Sequence, residues 1–126
     1  MIMRGILYGF CGIVFSACAS AHEMTPTYPE FNPSFVEGVY KTSISIFNRR
    51  TDVSYYSLQV YDNQWEPVPF AAETNLISLK YLEKKSIDIY LRVEDIPSAG
   101  YICTKSKILK GEATSVVSSR ICSKIK

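Results

Sequence analysis

The chain has 126 residues, with 14 Lys and Arg against 12 Asp and Glu, one histidine and four cysteines. That length supports one domain with a modest core and leaves little room for a second. With a single histidine and no cysteine pair to spare, no Ser/His/Asp or Cys/His catalytic constellation is expected.

Residues 1–21 read as a signal peptide. Met1 to Arg4 carries one positive charge, Gly5 to Phe15 is apolar but too short to span a bilayer, and Ala19-Ser20-Ala21 is a small-x-small cleavage site. Cleavage between Ala21 and His22 would export a mature domain, residues 22–126, to the periplasm. A lipid anchor through Cys18 is the weaker alternative, because Phe15 is an uncommon opening residue for the Phe15-Ser16-Ala17-Cys18 box. Cys11 and Cys18 are read as small apolar residues of the leader.

The mature chain opens with His22 to Pro33, where Pro26, Pro29 and Pro33 predict an extended arm or edge strand. After it, apolar and polar residues alternate with period two. Tyr40, Thr42, Ile44 and Ile46 predict one buried face, Tyr56, Leu58 and Val60 a second, and Ile87, Ile89, Leu91 and Val93 a third. Turn signals separate these runs at Asn48 to Asp52, Asp62-Asn63, Leu82 to Lys85, Pro97 to Gly100 and Lys110 to Glu112. Short strands, frequent turns and no helical periodicity predict an all-β antiparallel sandwich of about seven strands, immunoglobulin-like in class.

Near the C-terminus two cysteines sit in near-identical settings, Ile102-Cys103-Thr104-Lys105 and Ile121-Cys122-Ser123-Lys124. They are the only cysteines outside the leader, and an exported domain of this size suits a bridge, so a Cys103–Cys122 disulfide between two strands is expected. Charge is uneven along the mature chain. Residues 22–104 hold 7 Lys and Arg against 11 Asp and Glu, whereas residues 105–126 hold 6 against Glu112 alone. A basic C-terminal strip in an exported protein suits a carboxylate, an acidic partner or a membrane surface better than nucleic acid.

In these runs the chain resembles the periplasmic chaperones of pilus assembly, specifically their N-terminal immunoglobulin-like domain. Tyr40 to Asn48 is similar to that domain's second strand with its closing asparagine, and Tyr56 to Asp62 to the third. Pro69-Phe70 with Leu76 to Leu79 is similar to the fourth strand, Ile87 to Leu91 to the fifth, and Tyr101 to Ser106 to the sixth. Thr114 to Lys126 is similar to the last. The resemblance implies a module that lends its final strand to an incomplete pilus or surface subunit. It implies Val117, Ser119 and Ile121 as donor residues and Lys124 as anchor for the client's terminal carboxylate. No Arg lies between Arg4 and Arg49, so Lys124 would carry that anchor alone. A separate chain supplying the family's second domain is a further candidate partner.

Other readings are weaker. His22 at a mature N-terminus is similar to the copper ligand of polysaccharide oxygenases, but a copper site needs further ligands, and an exposed residue beside a cleavage site is expected instead. Zinc on Cys103 and Cys122 fits no usual knuckle spacing, and Glu83, Glu94 and Asp95 read as solvated loop charges rather than a glycosidase pair. Neither a catalytic residue nor a metal, cofactor or small-molecule substrate is expected. Tyr55, Tyr61, Tyr90, Trp65 and Phe47 fall on outward positions or in loops by alternation; covering the second sheet of the sandwich is the leading reading for them, and a partner surface the alternative. The leading expectation is a chaperone-like binding module, and the alternative is a structural component of a surface appendage or secretion machine.

Overall fold

The computed structural model describes residues 22–107 and 118–126. Two antiparallel sheets account for all nine described strands. In the first, β1 (Glu23–Thr25), β3 (Val39–Phe47), β7 (Lys84–Arg92) and β5 (Ala71–Ala72) lie side by side, and β2 (Asn32–Pro33) pairs with β3 beyond β1. In the second the order is β6 (Leu76–Ser78), β4 (Tyr55–Asp62), β8 (Ala99–Lys107) and β9 (Arg120–Lys124).

Period-two alternation explains how the sheets meet. Ile44 and Ile46 of β3, Tyr56, Leu58 and Val60 of β4, Ile87, Ile89 and Leu91 of β7, and Ile102 of β8 all enter one buried cluster. The intervening residues face outward, so each long strand contributes one apolar face to a shared core. Burial of such a side chain contributes about 1.5–3 kcal/mol.

Nine strands stand where about seven are expected because edge segments are split. The segment Pro69 to Leu79, read from sequence as one strand, crosses between sheets: Ala71 and Ala72 pair with β7, whereas Leu76 to Ser78 pair with β4. Thr74 makes the crossing, its hydroxyl donating to the Leu76 carbonyl (2.8 Å) and accepting from the Leu76 N–H (3.2 Å). The Pro-rich arm supplies β1 and β2, both on the edge of β3 that β7 leaves open. Val93, expected to face inward, does not: the β3–β7 ladder ends at Val39 and Arg92, and Val93 begins a 3₁₀ turn through Asp95 with 45% of its surface exposed.

Where β3 ends, Asn48 is fully buried and uses its whole hydrogen-bonding capacity. Its Nδ2 donates to the carbonyls of Val53 (2.7 Å) and Leu79 (2.9 Å), and its Oδ1 accepts from the Arg50 N–H (2.9 Å) and the Tyr56 hydroxyl (2.5 Å). Its backbone bonds Glu83 and Leu82. One side chain thereby ties the β3–β4 loop, the end of β6 and the core tyrosine together. Asn48→Ala orphans two carbonyls, the Arg50 N–H and a buried phenol, each worth about 1–3 kcal/mol when it stays buried. A loss of about 3–4 kcal/mol is expected in urea unfolding, with Asn48→Asp no better because it buries a charge beside two carbonyls.

Candidate functional site

The last strand is the part of the molecule that sequence and structure both single out. The Ser106 N–H bonds the Ser119 carbonyl and the Ile125 N–H bonds the Gly100 carbonyl, each at 2.9 Å. Hydrogen-bonded pairs alternate along an antiparallel ladder, so Thr104–Ile121 and Ile102–Ser123 are also bonded pairs. Cys103 and Cys122 are partners at a non-bonded position, where side chains approach most closely. Their Cα atoms are 4.1 Å apart and the disulfide closes on the outward face of the sheet.

The same parity aims the remaining backbone groups. The N–H and C=O groups of Arg120, Cys122 and Lys124 point away from β8, toward an edge with which no described strand pairs. Beyond β9 that side is engaged by the arm, where the Lys126 N–H donates to the Pro29 carbonyl (3.0 Å), and β1 lies close to β9 without pairing with it.

The described residues expected to be donated share one face, opposite to the expected anchor. Ile121 is half-buried and packs against the core cluster, while Ser119 faces the same interior. Val117 lies outside the described residues, as does Ala21. Lys124 is exposed on the opposite face, beside Cys122 and across from Tyr101.

Sequence alternation does not reveal what covers the disulfide. Arg120 extends over it, with Nε 3.4 Å from the Cys122 sulfur and Nη2 3.9 Å from that of Cys103. Its guanidinium lies 5.0 Å from the Tyr61 ring centroid and 4.9 Å from that of Trp65, and Trp65 stacks on Tyr101 at 4.4 Å and 11°. Trp65 is held in a left-handed conformation (φ 63°) by the turn after β4, where the Asp62 carboxylate accepts from the N–H groups of Gln64 (2.8 Å) and Glu66 (2.9 Å). Of the five aromatics expected on outward positions or in loops, Tyr61 and Trp65 come together here. Tyr90 and Phe47 lie on the other sheet, and Tyr55 stands at the far end of β4.

His22 is not the exposed residue that the sequence suggests. It is 1% exposed, with Nε2 2.7 Å from the Thr104 hydroxyl, Nδ1 3.2 Å from the Ser119 hydroxyl and its ring 4.4 Å from that of Tyr56. Pairing of Glu23 with Phe47 at the start of β1 carries the preceding residue inside, next to the entry of β9. The Thr104 hydroxyl also reaches the Met24 sulfur (3.8 Å), which fits Nε2–H as the donor to Thr104 and Nδ1 as acceptor from Ser119. Arg50, itself 8% exposed, approaches Ser119 (3.5 Å) and forks onto Asp52 at 2.9 and 2.6 Å. Its hydrogen bond holds the Asp52 carboxyl below the usual range, and burial pushes the Tyr56 phenol up to about 12. Among the described residues no three His, Cys, Asp or Glu side chains gather as a metal site.

No protein-family model matches the sequence, and comparison with curated proteins and with solved structures finds no match.

Burial, reinforced by the Arg50 charge, lowers the His22 pKa from 6.5 to about 4. The folded state therefore needs the neutral ring, and its contribution is complete above pH 6.5. It falls away as the pH drops from 6.5 toward 4, by about 3 kcal/mol in all. Urea midpoints measured across that window should fall with acidification, and His22→Gln should flatten the slope. Cys103→Ser should cost about 3 kcal/mol under oxidising conditions, the loop-closure value for a 19-residue separation, and little under reducing ones. An equal loss in both would mean the bridge is not what stabilises β9.

Proposed function

We propose that this protein is an exported binding module that holds a partner protein by β-strand addition at the free edge of β9, in the manner of the periplasmic chaperones of pilus assembly. The observation that carries this reading is that edge itself: a short strand, stapled by a disulfide to its neighbour, with three residues' backbone groups directed outward. An unpaired edge is a liability unless it is used or blocked, and here β1 lies close to β9 without pairing with it. Each backbone hydrogen bond to an added strand contributes about 1 kcal/mol net, and the disulfide limits fraying as the partner docks.

The strand order supports an immunoglobulin-like sandwich. β1-β3-β7-β5 corresponds to strands A, B, E and D of that fold, and β4-β8-β9 to C, F and G, with β6 as an extra strand beside C. On that reading the last strand is the one a pilus chaperone lends. Exposed Lys124 is suited to hold a terminal carboxylate and so fix the register of the added strand.

A second reading has its own observation. Ile121 packs against the core and Ser119 is engaged by His22, Ser106 and Arg50, which suits a structural component that keeps β9 for its own sandwich. The two differ in whether partner recovery depends on the edge. The mature protein, purified from the envelope of its host with its co-purifying chains, should bring down a stoichiometric β-rich subunit. Lys124→Pro removes an N–H that β8 does not use, so it should abolish recovery without unfolding the domain, and Lys124→Glu should weaken it about tenfold. Undiminished recovery with both variants assigns the structural reading, and the bait mass distinguishes a His22 terminus from a lipidated Cys18.

A further inference from the structure

The outward face of the second sheet carries a groove of about 400 Å³ that crosses β6, β4, β8 and β9 rather than following an edge. Its walls include Ser57 and Gln59 of β4, Asn75 before β6, Lys105 and Lys107 of β8, and Arg120 of β9, with no acidic residue among its lining. None of the three cations forms an ion pair among the described residues.

Their placement works against the fold's own stability. Lys105 and Arg120 are direct cross-strand partners at a non-bonded position, where side chains lie closest and like charges repel. Lys107 follows two residues along the same face. Arg120 turns toward Tyr61 and Trp65, so ring faces, not a carboxylate, hold its charge in place. The result is a fixed guanidinium and two ammonium groups around an open groove, with no described counter-charge.

We propose that this groove binds an acidic oligosaccharide, a chain of sugars carrying carboxylate groups. The chemistry of the wall selects that class over an acidic peptide. β4 and β8 are paired on both edges, so the groove offers no backbone ladder to an extended chain. Recognition falls to side chains, dominated by two ammonium groups and a guanidinium, with the Asn75 amide beside them; the Gln59 amide already donates to the Val60 carbonyl (3.0 Å) and the Ser57 hydroxyl to the Lys105 carbonyl (3.4 Å). A uronate sugar presents closely spaced oxygen acceptors and one negative charge per ring. A peptide carries a fixed N–H for every C=O, whereas each sugar hydroxyl can rotate to accept from a cationic wall. Tyr61 also lines the groove, and its ring fixes the Arg120 guanidinium there.

The site lies on the outward face of β8 and β9 and does not require the β9 edge to be free. Isothermal titration of residues 22–126 with a galacturonate hexamer, its uncharged methyl ester and a hexaglutamate peptide tests it. The hexamer is expected to bind, more weakly as salt rises, with the ester and the peptide at least about tenfold weaker. Lys107→Glu should remove binding. Lys105→Gln should reduce it while raising the melting midpoint by about 2 °C, because it relieves the Lys105–Arg120 repulsion; a merely solvated lysine would leave the midpoint unmoved. Equal binding of hexaglutamate would overturn the saccharide assignment, and failure of the hexamer to bind would overturn the site.

Discussion

The parity of the β8–β9 ladder decides the role of every residue on the last strand. Because Ser106–Ser119 and Gly100–Ile125 are hydrogen-bonded pairs, the cysteines fall at the closely spaced position between two bonded pairs and can be bridged. The same alternation turns Ser119, Ile121 and Ser123 inward, and Arg120, Cys122 and Lys124 outward. It also sends the backbone groups of those three outward residues to the free edge. A one-residue slip would bury Lys124 and Arg120, expose Ile121 and separate the sulfurs, so core, staple and edge all enforce one register. The edge and the outward face of β9 inherit that rigidity.

One end of the molecule is held by polar groups rather than by apolar packing. Asn48 gathers the ends of β3 and β6 and bonds the Tyr56 hydroxyl, the Tyr56 ring lies against His22, and His22 bonds Thr104 and Ser119. The chain of contacts runs from the first sheet, through the core, to the residue that precedes β9. Among the described residues each buried side-chain nitrogen and oxygen has a partner, and in a low-dielectric interior such satisfied networks specify one arrangement strongly because any rearrangement leaves a group unpaired. Hydroxyls and an imidazole thus anchor the entry of β9.

The two surfaces of β9 separate along physical lines. Its edge offers backbone groups, which suit another strand and carry little chemical selectivity. Its outward face offers side chains alone, cationic and donor-rich, which suit a ligand recognised by charge and oxygen geometry. One disulfide serves both, fixing the strand and flooring the groove beneath Arg120.

Much of this was legible in the sequence because it depends on local periodicity. The alternating runs Thr42 to Ile46, Tyr56 to Val60 and Ile87 to Leu91 already named the core faces, and the paired Ile-Cys-Thr/Ser-Lys settings named the bridge. The split of Pro69 to Leu79 between sheets was not legible, since two-residue edge strands carry no period, and neither was the exit of Val93, which depends on where its partner Val39 ends. Nor could the sequence place His22 against Thr104 and Ser119, 82 and 97 residues away, or Arg120 over Tyr61 and Trp65. Strand character and the inward or outward face are properties of neighbouring residues, and the sequence by itself determined them. Which strands lie side by side, and therefore which charges meet, which histidine is buried and which edge stays open, was decided only by tertiary structure, because those contacts join residues that no local pattern connects.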